Sequence, residues 1–281
     1  MSPPTVVGVE PRTALTVAGS DSGGGAGIQA DLRTFAAFAL HGTCAITAVT
    51  AQNTLGVRDV LCVEPSLVTS QVLAVTDDFT VRATKTGMLG EPRTVREVAR
   101  LAAEGRFGPL VVDPVLVSTS GHALMAEGGV EAYREHLLAH ASVVTPNLAE
   151  TAVLAGVDVA SLSDADAMAR AGAIILTMGP GAVLVKGGHA ANYGSTAGHS
   201  PDILVSAQGV VVFDAPRVTT LNDHGTGCSL SAAICAGLAL GRDLADAVRD
   251  AKSFVLAGLK SAASWRLGAG HGPIDHFGWN E

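Results

Sequence analysis

The stretch Asn222-Asp223-His224-Gly225-Thr226-Gly227-Cys228 joins a glycine loop and a thiol to the apolar run from Ser229 to Gly241. A helix that starts from such a loop aims unpaired backbone N–H groups and the positive end of its dipole at one point, which suits an anion. Glycines let a phosphate come close to the main chain, and a cysteine in the first turn lies where the same field favours thiolate over thiol. Gly225, Thr226, Gly227 and Cys228 thus read as an anion cradle beside a proton acceptor, the equipment of phosphoryl transfer. The same pattern also describes a glycine-rich start to a buried Ala/Leu helix, so a second element has to give it meaning.

That element lies near the start of the chain. Ala14-Leu15-Thr16-Val17-Ala18-Gly19 has the pattern of a short buried strand, Ser20 to Gly27 is a second glycine loop, and Ile28 to Leu40 reads as a helix. Strand, loop and helix open an α/β domain, with the loop at the carboxyl end of the strand, where such sheets bind ligands. Gly25-Ala26-Gly27-Ile28-Gln29-Ala30 fits the loose dinucleotide pattern. That reading needs an acidic residue about 20 positions on, at the end of the next strand. The next strand, Ala45 to Thr50, runs instead into Ala51-Gln52-Asn53. No Walker A sequence occurs, so a nucleotide needs another phosphate device, and the loop at Gly225 is the candidate.

The elements that must position these loops alternate along the chain. Helices are predicted at Ser66 to Val75, Glu91 to Ala103, Glu127 to Leu138, Leu148 to Leu154 and Asp164 to Met178, with two more closing the chain. Strands are predicted at Thr84 to Thr86, Leu110 to Asp113, Ser142 to Thr145, Ala182 to Lys186, Ile203 to Val205 and Val210 to Phe213. This alternation implies right-handed crossovers and a mostly parallel sheet covered on both faces.

Several polar residues then fall at strand ends. Asp113 closes the run Leu110-Val111-Val112 ahead of Pro114, where a carboxylate can hold Mg²⁺ directly or through water, or else cap the following turn. Asn147 and Glu150 share a helix face, but Asn at a helix start with Glu three residues on is also a capping-box variant. Lys186 ends a strand before Gly187-Gly188, within reach of a phosphate as a point charge, or as a solvated strand-end lysine. Gln52 ends an apolar strand with an amide that can both donate and accept toward a ligand; the alternative is a buried Gln satisfied by backbone. His41, His122, His136 and His140 have no metal-ligand spacing.

Whole-chain properties narrow the function classes. A formal net charge of −8 with a sequence pI near 5.5 argues against a nucleic-acid or anionic-membrane surface. Four cysteines, Cys44, Cys62, Cys228 and Cys235, lack a C-x-x-C pair, as in a reduced, intracellular protein. Ser229 to Leu240 falls short of the roughly 20 residues that a bilayer requires. Thr34 to Val57 is uncharged but broken by His41-Gly42 and Gln52-Asn53. Met1 to Arg12, with Pro3, Pro4 and Glu10, reads as a disordered arm rather than a signal, ahead of one domain over residues 13–281.

The ordered set of short motifs resembles the hydroxymethylpyrimidine and phosphomethylpyrimidine kinases of thiamine biosynthesis, within the ribokinase-like superfamily. The resemblance runs from about Ala14 to Phe277. Its landmarks are Ala18-Gly19-Ser20-Asp21, Gly24 to Asp31, Gln52-Asn53-Thr54, Lys85 to Leu89, Val112 to Val115, Thr145 to Glu150, Val185 to His189, His224 to Cys228 and Gly272-Pro273. It implies a three-layer α/β/α fold, ATP as cosubstrate, Mg²⁺, a cytoplasmic location and a homodimer. It also implies a pyrimidine pocket of Gly19, Asp21, Asp31, Thr50, Gln52 and Met88. Asn147, Lys186, Gly225, Thr226 and Gly227 would surround the phosphates, Asp113 and Glu150 the metal, and Cys228 would accept the hydroxyl proton. His189 stands in a landmark without an assigned role. Pyridoxine or pyridoxal kinases, whose acceptor is also a flat heteroaromatic hydroxymethyl compound, are the nearest alternative; a nicotinamide-dependent oxidoreductase is more distant. Two departures stand out: Asp21-Ser22-Gly23 where the family often has Asp-Pro-Ser, and Asp223 where a Thr is usual.

Overall fold

Thr13–Ala18 is buried along its whole length, as expected of a strand with both faces of its sheet covered. The computed structural model describes residues 10–117, 124–188 and 198–279. In chain order the strands are β1 (Thr13–Ala18), β2 (His41–Ile46), β3 (Ala48–Asn53), β4 (Gly56–Cys62), β5 (Val81–Thr86), β6 (Leu110–Val112), β7 (Val143–Val144), β8 (Ala182–Lys186), β9 (Asp202–Ser206) and β10 (Gly209–Phe213). Eight of them form one sheet in the order β10-β9-β8-β7-β6-β5-β1-β2. Pairing is parallel from β2 across to β8 and antiparallel at β8–β9 and β9–β10.

The helices are α1 (Gly27–Ala37), α2 (Pro65–Thr76), α3 (Pro92–Ala103), α4 (Gly129–Ala132), α5 (Leu148–Ala155), α6 (Ala165–Leu176), α7 (Thr226–Ala239) and α8 (Leu244–Ala262). They lie in two layers, which the strand alternation makes explicit. Val112, Val144, Val183 and Val185 belong to one apolar cluster with residues of α3, α5 and α6. Their neighbours Val111, Val143, Ala182 and Leu184 belong to a second cluster with α7 and α8. Period-two alternation between two apolar clusters is the signature of a sheet packed on both sides. Truncating a buried residue of either layer, such as Leu184→Ala, costs about 2–5 kcal/mol.

Two expectations need correction. The single strand from Ala45 to Thr50 is two strands in different sheets. Thr47 breaks it: its N–H donates to the Ala18 carbonyl at 3.0 Å, its hydroxyl to the Met88 carbonyl at 2.6 Å, and its own carbonyl accepts from Val63 at 2.8 Å. β2 therefore stays in the main sheet, while β3 pairs antiparallel with β4 as a separate hairpin. The helix expected from Glu127 begins at Gly129, behind Gly128 at φ 80°, and passes through a π-turn at Tyr133–Leu137 that keeps Tyr133 and Leu137 buried. Among the described residues no helix is long and apolar enough to cross a membrane.

Candidate active site

The site assembles where the loops after β1, β8 and β10 meet the hairpin. α7 starts at Thr226 behind Gly225, whose φ of 82° is left-handed, and no side chain caps it. The Thr226 N–H reaches the Asp223 carbonyl at 3.3 Å. Those of Gly227 and Cys228 have no partner among the described residues, so they remain open to a ligand. Glycine is required at 225 on two grounds. Besides the positive φ, a Cβ there would stand 1.8 Å from the Gly25 carbonyl oxygen, so the two glycine loops pack main chain against main chain.

Asp21 organises the first loop. Its carboxylate accepts from the N–H groups of Gly23 at 2.8 Å, Gly25 at 3.0 Å and Ala26 at 2.8 Å, and from His224 Nε2 at 2.9 Å. Burial alone would raise its pKa. The His224 hydrogen bond and the loop amides outweigh this and hold it below the usual carboxylate range. Asp21 is thus a brace between the two glycine loops rather than a free pocket wall. The hairpin lies along the same loop: the Thr50 hydroxyl donates to the Ser20 carbonyl at 2.8 Å, and the Gln52 N–H to Ser22 Oγ at 2.8 Å. The Gly19 N–H meets the Met88 carbonyl at 3.1 Å. Gly19, Thr50, Gln52 and Met88 are therefore brought to one place. Gln52 Nε2 is 3.3 Å from His224 Nε2; the imidazole proton goes to the nearer Asp21, which leaves the Gln52 amide available to a ligand.

Asp31 is not at that surface. It is fully buried and engages both carboxylate oxygens with Lys85 Nζ at 2.9 Å, one of them also accepting from Thr16 Oγ1 at 2.6 Å. Lys85 is fully buried too; burial favours its neutral form, but Asp31 overrides this and holds it charged. In the sequence, Lys85 stands within the landmark Lys85 to Leu89 without an assigned role. The signal was present: a lysine between Thr84 and Thr86 in a strand otherwise suited to a dry interior.

On the other side, Lys186 Nζ donates to Asp113 Oδ1 at 2.8 Å, and a Cβ on Gly227 would lie 3.3 Å from that ammonium, so the charge stands beside the cradle. Asp113 also accepts from Thr145 at 3.3 Å and from Ser231 at 3.1 Å. With both oxygens committed, it orients Lys186 and is not a ready-made direct metal ligand. The Asn147 and Glu150 capping box forms in both directions, at 2.9 and 2.8 Å. Burial pushes the Glu150 carboxyl up to about 7; Lys186 opposes the rise and Asp113 adds to it. Among the described residues no group of three His, Cys, Asp or Glu side chains could hold a metal ion unaided. Two buried carboxylates around one ammonium nevertheless leave a negative excess, and that excess suits a divalent cation whose other ligands are water and phosphate.

The expectation of a field-stabilised thiolate is reversed. Burial pushes the Cys228 thiol up to about 11; the Lys85 ammonium pulls the other way, and the Asp31 and Asp113 carboxylates reinforce the rise. Cys228 is only partly exposed, and its burial beside the Asp31 and Asp113 carboxylates makes the charged form costly. Asp223, unexplained in the sequence, pairs with His271 at 2.7 Å. His122 and His189 lie outside the described residues.

With this geometry in hand, comparison with known proteins is specific. The family described as phosphomethylpyrimidine kinase matches residues 21–275. A hydroxymethylpyrimidine/phosphomethylpyrimidine kinase of Rhizobium meliloti (strain 1021) is 48% identical over 267 residues, covering 94% of this chain and 96% of its own length. A thiamine biosynthesis bifunctional protein of Geobacter sulfurreducens is 42% identical over 94% of this chain and 52% of its own. The crystallised pyridoxal kinase from Staphylococcus aureus, in complex with AMP-PCP and pyridoxal, superposes with a TM-score of 0.85 at 32% identity, covering 97% of this chain and 96% of that one. The layered sheet is accordingly ribokinase-like, and with a near full-length match at this identity the chain belongs to the phosphomethylpyrimidine kinase family.

Proposed function

We propose that this chain transfers the ATP γ-phosphoryl group to the hydroxymethyl oxygen of 4-amino-5-hydroxymethyl-2-methylpyrimidine, and then to the monophosphate, yielding the diphosphate used in thiamine biosynthesis. The observation that carries this reading is the pair of amides at Gly227 and Cys228 without a partner among the described residues, on a loop that has the Lys186 ammonium beside Gly227 and the Gln52 amide beside His224. That arrangement offers one donor set for a moving phosphoryl group and one for a flat polar heterocycle.

Gln52 reads the aminopyrimidine edge, with Gly19, Thr50 and Met88 forming the floor. The amides of Gly227 and Cys228 hold the transferring group, and Gly225 and Thr226 shape the turn that presents them. Lys186, steadied by Asp113, neutralises the charge that builds on the phosphates. Asn147 lies beside Lys186, to which it is bridged. Glu150, with the Asp113 carboxylate behind it, would hold Mg²⁺ through water and phosphate oxygens, and the ion would supply further charge neutralisation. Cys228 lies where the acceptor's hydroxyl proton has to leave. The reading includes one kinase domain over residues 13–281 and a cytoplasmic homodimer; four free cysteines suit a reduced compartment.

Pyridoxal phosphorylation is the second reading, favoured by the similarity to the S. aureus enzyme. An ATP-dependent assay with hydroxymethylpyrimidine, pyridoxal and ribose side by side, following mono- and diphosphate products, tests both. A kcat/KM for pyridoxal above that for the pyrimidine overturns the first reading, and turnover of ribose alone overturns both.

A further inference from the structure

Two motifs remain without a part in this chemistry, Asn53-Thr54 and Gly272-Pro273, and the fold brings them together. Thr54 sits in the turn between β3 and β4, two residues beyond Gln52. Consecutive amides of the C-terminal segment converge on it: those of Ala269 and Gly270 donate to its Oγ1, each at 3.2 Å, and that of His271 donates to its carbonyl at 3.0 Å. The approach is close, since a Cβ on Gly270 would lie 2.1 Å from the Thr54 carbonyl oxygen.

The next residues of the same segment hold the opposite loop. The Gly272 N–H donates to the Leu221 carbonyl at 3.1 Å, the His224 N–H donates to the Gly272 carbonyl at 3.0 Å, and His271 pairs with Asp223 at 2.7 Å. Pro273 packs 3.3 Å from where a Gly25 Cβ would stand. The C-terminal segment is thus a tie with one end on the hairpin tip and the other on the loop that opens α7. At its far end the hairpin is anchored to the main sheet through Thr47.

We infer that Thr54 is a positioning residue: by fastening the hairpin tip to residues 269–271, it sets the distance between the Gln52 amide and the phosphate cradle. Thr54 does not itself touch the reacting groups. Its hydroxyl faces the C-terminal segment, and a Cβ on Gly268 would meet Oγ1 at 2.3 Å. The inference rests on the proposed acceptor only for the identity of what Gln52 reads.

The test uses Thr54→Val, which keeps shape but removes the acceptor of two N–H groups, and Thr54→Ser, which restores it. The full chain is assayed with hydroxymethylpyrimidine and ATP, and hydrogen exchange of residues 48–62 and 267–273 is followed without substrate. The expected result for Thr54→Val is a roughly 10- to 100-fold loss in kcat/KM, carried mainly by KM for the pyrimidine, with KM for ATP within about twofold. Exchange at the hairpin tip and at residues 269–271 should rise while the melting temperature holds, and Thr54→Ser should return both readouts to wild type. Wild-type exchange in Thr54→Val, an unchanged pyrimidine KM in the folded variant, or a Thr54→Ser variant that behaves as Thr54→Val would each overturn the inference. Should wild type leave the pyrimidine unphosphorylated, the acceptor reading fails, and the exchange arm alone decides for or against the tie.

Discussion

Raising the pH asks directly whether Cys228 takes the acceptor's proton. In the free protein the thiol is pushed up to about 11, against an ordinary value of 9.0. At pH 8 roughly one molecule in a thousand then carries the thiolate, and each further pH unit multiplies that fraction about tenfold. Since kcat/KM reports the free enzyme, its value for the first phosphorylation should climb roughly 100-fold between pH 8 and 10. The window lies above the titration of Glu150 near 7, so that carboxyl is already ionised throughout. The acceptor in the second step is a phosphate oxygen, ionised across the whole range, so its profile should stay flat. Cys228→Ala should abolish the climb and depress the first step while sparing the second, because the main-chain cradle survives the substitution. Cys228→Asp, with a base ionised at neutral pH, should recover part of the first step. Single-turnover rates on the alcohol and on its monophosphate, for wild type and both variants, provide the measurement. A flat first-step profile in wild type, or equal losses in both steps for Cys228→Ala, would make Cys228 a lining of the anion site and not the base.

Lys186→Met should lower kcat of the folded enzyme by about 10²–10³; near-normal turnover would remove Lys186 from the mechanism. The change also leaves the buried Asp113 without its cation, with Thr145 and Ser231 as remaining donors, so the melting temperature is followed in parallel. Gln52→Leu should weaken pyrimidine binding by about 1–3 kcal/mol and leave ATP affinity alone; an unchanged pyrimidine KM would make Gln52 a packing residue. Lys85→Met strands the buried Asp31 and should cost about 3–5 kcal/mol, and adding Asp31→Asn should restore most of it. The carboxyl of Asp31 is raised by burial, so the deficit of Lys85→Met is smallest below the unfolded carboxyl pKa and grows as the pH rises above it. Urea melts at pH 4 and 8 measure this, and a deficit that is largest in acid would contradict it.

The two glycine loops and the strands beneath them were legible because their signals are local: small residues, punctuating prolines, and apolar runs short enough to cross a sheet. What the sequence withheld depends on neighbours distant in the chain. The break at Thr47 lies inside an unbroken apolar stretch, and its cause is a hydroxyl bonded to Met88, 41 positions away. Asp31, on α1, is taken by Lys85 of β5, a partner 54 positions away. The environment of the thiol depends on distant neighbours in the same way. A helix dipole can be inferred from sequence, whereas the burial of Cys228 and its nearness to Asp31, Lys85 and Asp113 arise only once α1, β5 and the end of β6 are packed. The tie at Thr54 has no periodicity to reveal it, because Gly268 to Gly272 is irregular chain that gains its shape from what it touches.

The contact of main chain with main chain at Gly225 and Gly25 divides the site into a part that substitution can alter and a part that it cannot. No larger side chain fits at residue 225, and amide donors are the same whatever residue bears them. The main-chain donors of the cradle are therefore insulated from drift, whereas the side chains of Lys186 and Cys228 are not. The hairpin from Ala48 to Cys62 meets no such constraint from Gly225 and is joined to the sheet at one end and to the C-terminal segment at the other. On the proposed reading, a scaffold divided in this way lets the acceptor be changed through the hairpin that carries Gln52 while the main-chain donors at the start of α7 stay as they are.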